Sequence, residues 1–276
     1  MTIYGVVKNG LGGAQVDVED KVDIIDASGL ASAWARKRLG FEPDAIQTRV
    51  LDAQTRRGIL NCTRQWGKST TSAAKAVHQA WTVPGSLTIV VSPTARQSAE
   101  FVRKASTFLL QLGVAPKGDG DNEISLAFPN DSRIVGLPGT EATVRGFSKV
   151  ALLLVDEASR VSDELYAAVR PMLAVSGGTL WLMSTPYGKR GFFWDTWENG
   201  GSSWERVRVA ASDCPRIPAP FLEEERRVLG ERTFRQEYCC EFGEMEDGLF
   251  DRQSLERAFR EDIQPLWPQM NGTERK

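Results

Sequence analysis

From Gly58 onward the chain alternates short apolar runs with longer stretches in which apolar residues return every three or four positions. A run apolar throughout suits a strand covered on both faces, whereas the three-to-four spacing gives a helix one buried stripe. The runs predict strands over Gly58–Cys62, Leu87–Ser92, Lys149–Val155, Gly178–Ser184 and Trp204–Val209. Between the second and third, Glu123–Phe128 and Arg133–Leu137 predict a hairpin turned through Pro129-Asn130-Asp131-Ser132. Phe101, Ala105, Phe108, Leu109 and Leu112 mark one helix that Gly113 ends, and Thr71–Trp81 marks another. A third follows Ser162-Asp163-Glu164, with Pro171 shortening or kinking it. This alternation implies an α/β fold with a mostly parallel sheet flanked by helices.

The two ends read differently. Residues 1–40 are rich in glycine and acids before an Ala/Arg helix begins, and after Ser212 the prolines Pro215, Pro218 and Pro220 precede a charged helix, Leu222–Leu229. The expected organisation is a core over 41–211, with a small lid or linker subdomain formed from the chain ends, the N-terminal segment over 1–40 and the region over 212–276.

Composition narrows the class without naming it. The 276 residues suffice for a sizeable core, and 41% hydrophobic with 25% charged residues is ordinary for a globular chain. A net charge of −2 gives no bulk attraction to nucleic acid, so any such contact must come from a patch. Arg36-Lys37-Arg38 and Arg56-Arg57 are the candidates, or else solvated faces. Cys62, Cys214, Cys239 and Cys240 form no CxxC pair, and the single histidine is His78, which argues against a zinc site or disulfide framework and for buried thiols. No apolar run nears the ~18–20 residues of a membrane span. Met1-Thr2-Ile3-Tyr4-Gly5 does not open a signal peptide, so a cytoplasmic location is expected.

Candidate chemistry begins at Cys62-Thr63-Arg64-Gln65-Trp66-Gly67-Lys68-Ser69-Thr70, which follows an apolar strand and opens a helix. A triphosphate needs inward-pointing backbone N–H groups at a helix N-terminus, a lysine reaching the outer phosphates, and a hydroxyl for Mg²⁺. Arg64, Gln65, Trp66, Gly67, Lys68, Ser69 and Thr70 are accordingly the candidate nucleotide-binding residues, although Cys62 stands where such loops usually begin with glycine. The second element is Ala151-Leu152-Leu153-Leu154-Val155-Asp156-Glu157, an apolar strand ending in two acids. A buried strand delivers such carboxylates to the ligand-binding edge of an α/β sheet. Asp156 joins Ser69 as a magnesium ligand, and Glu157 is placed to activate water against the γ-phosphate, so ATP and Mg²⁺ are the expected cofactors.

Taken in order, these pieces resemble the ATPase domain of terminase large subunits, the motors that package DNA into the capsids of tailed phages and herpesviruses. The resemblance runs from about Phe41 to Glu246, and it accounts for the arginine inside the loop and the missing first glycine. It implies a P-loop NTPase fold of the RecA-like class. It also implies that Gln47, within Phe41-Glu42-Pro43-Asp44-Ala45-Ile46-Gln47, pairs with adenine, with Gln54 as the alternative. Arg145, in Val144-Arg145-Gly146, looks like the arginine that reaches a neighbouring subunit's nucleotide, and Arg64 could do similar work within its own subunit. Ser184-Thr185-Pro186 resembles the motif coupling hydrolysis to DNA movement, and Val90–Gln97 a helicase-like segment. The implied partners are double-stranded DNA, a portal protein, a small terminase subunit and further copies in a ring of five, in the bacterial host cytoplasm and without a membrane. Some thirty residues beyond the resemblance are too few for the nuclease domain that usually follows, so no nuclease activity is expected of this chain. Two other readings stay open: a single-domain helicase or translocase-like ATPase, and an ATP-dependent binding switch without efficient turnover.

Overall fold

The computed structural model of the chain describes residues 29–139 and 146–243. Two short helices, α1 (Ala31–Leu39) and α2 (Ala45–Asp52), lead into strand β1 (Arg57–Cys62) and helix α3 (Lys68–Thr82). Next come β2 (Leu87–Ser92), α4 (Ala95–Gln111), the β3–β4 hairpin (Ser125–Ala127, Arg133–Pro138) and β5 (Leu152–Asp156). Helix α5 (Asp163–Val169), β6 (Thr179–Ser184), α6 (Gly191–Asn199), β7 (Glu205–Val209) and α7 (Ala219–Cys239) complete the described chain.

The described strands form one seven-stranded sheet in the order β3-β4-β2-β5-β6-β1-β7. Every pairing is parallel except β3 with β4. The α/β architecture expected from the sequence is therefore the one observed. Because successive residues of a strand face opposite ways, each strand feeds two cores. Leu60, Val90, Leu154, Trp181, Met183 and Val207 pack beneath α1–α4. Ile59, Ile89, Val91, Leu153, Leu180 and Leu182 pack with Leu165, Val169 and Phe193 of α5 and α6. Trp34, Ala35 and Leu39 of α1 lie in the first of these cores.

One glycine is demanded by packing across the sheet. A Cβ on Gly58 would stand 2.4 Å from the Trp181 indole on the neighbouring strand, so β1 carries no side chain there and the fully buried Trp181 fills the space.

Element boundaries shift where tertiary contacts intervene. The strand expected over Lys149–Val155 begins at Leu152, since Lys149 adopts φ 58° and the Val150 N–H donates to Met172 O. It also reaches one residue further, so Asp156 is held in sheet register opposite Met183. The α5 segment ends at Val169, and Arg170–Leu173 tightens into a 3-10 turn at Pro171. Helix α7 is longer than the expected Leu222–Leu229 and breaks at Gly230, whose φ of 74° no helix can hold.

Candidate active site

The carboxyl ends of β1, β5 and β6 lie side by side, because parallel pairing places β6 between the other two. The loops leaving these strands share one edge of the sheet, where α/β folds bind ligands.

The loop after β1 is held from several sides. The Thr63 N–H donates to Val209 O at 2.8 Å, and the Trp66 side chain is fully buried in the core under α1–α4. Gln65 and Gly67 take positive φ, 64° and 98°, so the chain winds left-handed before it enters α3. A Cβ on Gly67 would lie 3.1 Å from Gln47 Nε2. Helix α3 starts at Lys68, and the Thr71 N–H and hydroxyl both donate to Gly67 O.

Lys68 and Ser69 face the two acids at the end of β5. Lys68 Nζ stands 3.2 Å from Glu157 Oε1, with the lysine side chain only 10% exposed. The Ser69 hydroxyl donates to Asp156 Oδ2 at 3.2 Å, and the Glu157 N–H donates to Asp156 Oδ1 at 3.1 Å. Burial, and then the charge of Glu157, push the Asp156 carboxyl above its usual range, while Lys68 and the Ser69 hydroxyl pull the other way. Glu157 sits at φ 50°, a left-handed conformation costing a non-glycine residue on the order of 1–3 kcal/mol. Such strain is characteristic of sites where a side chain must be aimed rather than packed.

A hydroxyl and a buried carboxylate form a hard oxygen donor set that fits Mg²⁺. Among the described residues no cluster of three or more His, Cys, Asp or Glu is arranged to hold a metal ion. A cation at Ser69 and Asp156 would therefore draw the rest of its shell from phosphate and water, as magnesium commonly does.

At the end of β6, the Ser184 hydroxyl is fully buried and lies 2.7 Å from the hydroxyl of Ser159. The Ser159 N–H donates to Ser184 Oγ at 3.2 Å, and its hydroxyl donates to Thr185 O at 2.8 Å. The Ser184-Thr185-Pro186 segment thus connects to Glu157 through Ser159, two residues along the chain. Thr185 and Pro186 are buried as well.

The remaining candidates scatter. Gln47 is 3% exposed and closes the N-terminal cap of α2: its N–H donates to Asp44 Oδ1, and its Oε1 accepts from Asp44 N. Its Nε2 donates to Trp66 O at 3.0 Å, against the phosphate-type loop. Gln54, two residues beyond the end of α2, donates to Asp52 O. Arg64 points to α7, with Nε 2.5 Å from Glu237 Oε2, and the hydrogen bond and charge of Glu237 hold its guanidinium protonated even more firmly than usual. Arg145 lies outside the described residues. Arg36-Lys37-Arg38 occupies the last turn of α1, where Arg36 donates to Pro43 O and to the Thr48 hydroxyl.

Three contributing residues were not foreseen. Glu237 anchors Arg64, Ser159 receives Ser184, and Arg216 donates to Trp66 O at 2.6 Å. None stands in a local pattern that announces such a partner, since Arg216 and Glu237 lie 150 and 173 residues from their partners in the loop.

Compared with known proteins, residues 59–257 match the family described as terminase large subunit, T4likevirus-type, N-terminal. Curated relatives are the terminase large subunits of Thermus phage G20c and Thermus virus P23-45. Each is 24% identical over 247 residues, covering 77% of this chain and 51% of the relative. The chain thus spans about half the length of the curated relatives it matches. Among solved structures, the large terminase ATPase domain of Thermus phage P74-26 superposes with a TM-score of 0.66 at 21% identity, over 75% of this chain and 96% of that one. The HK97 bacteriophage large terminase superposes with a TM-score of 0.64 at 16% identity, over 77% of this chain and 55% of that one. The large terminase of another thermophilic bacteriophage, in complex with ATP-gamma-S, gives 0.59 at 14% identity, over 77% and 51%. At these identities the structural likeness bears on the fold.

Proposed function

The chain belongs to the family of T4likevirus-type terminase large subunits, matching its N-terminal part, and from this premise we propose that it is an ATP-hydrolysing, DNA-packaging motor domain. It would couple hydrolysis to movement of double-stranded DNA into a procapsid. The observation that carries this reading is the convergence of Lys68, Ser69, Asp156 and Glu157 on one sheet edge, paired lysine to glutamate and hydroxyl to aspartate.

In the reaction the Lys68–Glu157 pair gives way to the nucleotide. The β- and γ-phosphates carry more negative charge than one carboxylate and draw Lys68 to themselves. Glu157, released, accepts a proton from a water whose oxygen attacks the γ-phosphorus as the bond to the β-bridging oxygen breaks, giving ADP and phosphate. Magnesium held by Ser69 and Asp156 would neutralise charge on the phosphate oxygens. Gln47 is assigned to adenine from the family resemblance, because an amide both donates and accepts; its bonds to Asp44 N and Trp66 O would have to open for the base. Arg64 within the subunit and Arg145 from a neighbour are the two candidates for meeting charge on the transferred phosphoryl group. Ser184-Thr185-Pro186, linked through Ser159 to the strand end that carries Glu157, would pass the change onward to the DNA-gripping surface.

The partners this reading proposes are double-stranded DNA, a portal protein, a small terminase subunit and a homo-oligomeric ring of five copies, in the cytoplasm of the bacterial host. Among the described residues no helix is long and apolar enough to cross a membrane. The deciding experiment is steady-state ATP hydrolysis with Mg²⁺ for wild type, Lys68→Ala and Glu157→Gln, over a range of protein concentrations and with or without duplex DNA. Turnover lost in both variants and rising more than linearly with wild-type concentration supports a motor whose sites are shared between subunits. Binding without turnover in the wild type at every concentration would instead favour a nucleotide-dependent switch.

A further inference from the structure

The Trp66 carbonyl accepts two hydrogen bonds from side chains of separate chain segments. Gln47 Nε2 reaches it from α2 at 3.0 Å, and Arg216 Nη2 reaches it from the segment after β7 at 2.6 Å. The same Arg216 nitrogen lies 3.1 Å from Asp44 Oδ2, and the other Asp44 oxygen accepts the Gln47 N–H at 2.8 Å. Asp44, Gln47, the Trp66 carbonyl and Arg216 therefore close a ring of contacts beside the loop.

The peptide after Trp66 is trans, as no cis peptide bond occurs among the described residues. In a planar trans peptide the N–H points opposite to the C=O. Holding the Trp66 carbonyl outward, toward α2 and Arg216, therefore aims the Gly67 N–H the other way, into the loop at the start of α3. The buried Trp66 indole anchors the same residue from the core side. A loop that binds phosphate must present such N–H groups before the anion arrives, because reorienting peptides on binding lowers affinity.

We propose that Arg216, held by Asp44, is a positioning residue that locks the Trp66–Gly67 peptide in its phosphate-receiving orientation. This deepens, and rests on, the reading of the loop as a nucleotide site. It gives Arg216 a task distinct from that of Gln47: when adenine engages the Gln47 amide, Arg216 is the donor that still holds the carbonyl. Base occupancy and loop shape are thereby separable.

The test uses the full chain with a fluorescent ADP analogue and Mg²⁺, comparing wild type, Arg216→Ala, Arg216→Lys and Asp44→Asn. Arg216→Ala is expected to weaken binding about tenfold or more, the scale of one charge-assisted hydrogen bond. Arg216→Lys, which keeps a cationic donor, should restore most of that loss. Asp44→Asn, which keeps the helix cap but removes the charge, should lose less than Arg216→Ala. Thermal midpoints of the nucleotide-free variants should stay close to wild type, a pattern that general destabilisation does not produce. Binding by Arg216→Ala within twofold of wild type, or equal losses in the alanine and lysine variants, would overturn the proposal. A second arm does not depend on nucleotide: backbone order parameters of the Gly67–Ser69 amides in the free chain, from nitrogen-15 relaxation. Lower order there in Arg216→Ala, with the middle of α3 unchanged, supports the lock, and unchanged order refutes it. A wild type that binds no adenine nucleotide overturns the ATP reading instead, and the relaxation arm then decides the role of Arg216.

Discussion

Lys68 and Glu157 neutralise one another across 3.2 Å, and that single contact sets opposite expectations for the two residues. Glu157→Gln removes the charge competing for Lys68 while keeping the side-chain shape. Its expected phenotype is hydrolysis reduced by about 10²-fold or more with nucleotide held more tightly than in wild type, read by phosphate release and by titration of a fluorescent ATP analogue. Glu157→Gln binding more weakly than wild type would contradict the release of the carboxylate by phosphate. Lys75 supplies a residue-scale prediction about stability. Its ammonium donates to Val50 O and Leu51 O at 3.1 and 3.0 Å, completing the end of α2, and lies 5.2 Å from the Trp181 ring centre. Burial pulls its pKa down to about 8. The unfolded chain then holds the extra proton between that value and roughly 10.4, so Lys75 contributes more to stability as pH rises through this window. Urea unfolding at pH 7.5 and 9.5 should show the gap between wild type and Lys75→Met widening at the higher pH.

Strands β1 and β6 depend on each other through a missing side chain. Gly58→Ala would drive a methyl group to 2.4 Å from the ring of the buried Trp181, so strand or indole must shift. Overpacking of this kind costs on the order of 1–3 kcal/mol, measurable as a lowered urea midpoint. Helix α7 contributes differently, by reaching back over the loop after its break at Gly230. Glu237 Oε2 takes Arg64, Glu237 O takes the Thr63 hydroxyl, and Cys240 O takes the Asn61 amide. The Arg64 side chain is 60% exposed, so its ion pair is worth about 1 kcal/mol or less. Glu237→Gln should therefore leave the fold intact and free Arg64 for the phosphates. If Arg64 serves the reaction within its own subunit, hydrolysis rises by up to ~5-fold. A fall in rate would show that Arg64 acts while paired with Glu237.

On the scale of the whole molecule, the sheet edge gathers Lys68, Ser69, Asp156 and Glu157, while the role proposed for Arg145 looks outward to another copy. Hydrolysis per chain should therefore rise with concentration, and Arg145→Ala should abolish that rise while leaving nucleotide affinity unchanged. Sedimentation alongside the activity series distinguishes loss of the finger from loss of assembly. Wild-type turnover by Arg145→Ala under assembled conditions would refute the finger and leave Arg64 as the remaining candidate.

The carboxyl ends of the strands, the loop that opens α3, and the meeting of Lys68 and Ser69 with Asp156 and Glu157 were legible in the sequence. They are local signals: apolar runs report burial on both faces, and a motif at a strand end inherits its direction from the strand. So were the parallel α/β class and the family resemblance. Strand order, and with it the insertion of β6 between β1 and β5, required the assembled sheet, as did the left-handed turn at Glu157 and the clash that reserves Gly58 for glycine. Tertiary structure alone decided what stands around the loop. Glu237 on Arg64, Arg216 on Trp66, and Ser159 between Glu157 and Ser184 are pairings that no period or spacing encodes. Their partners come from segments brought together only when two hydrophobic cores close on the two faces of the sheet.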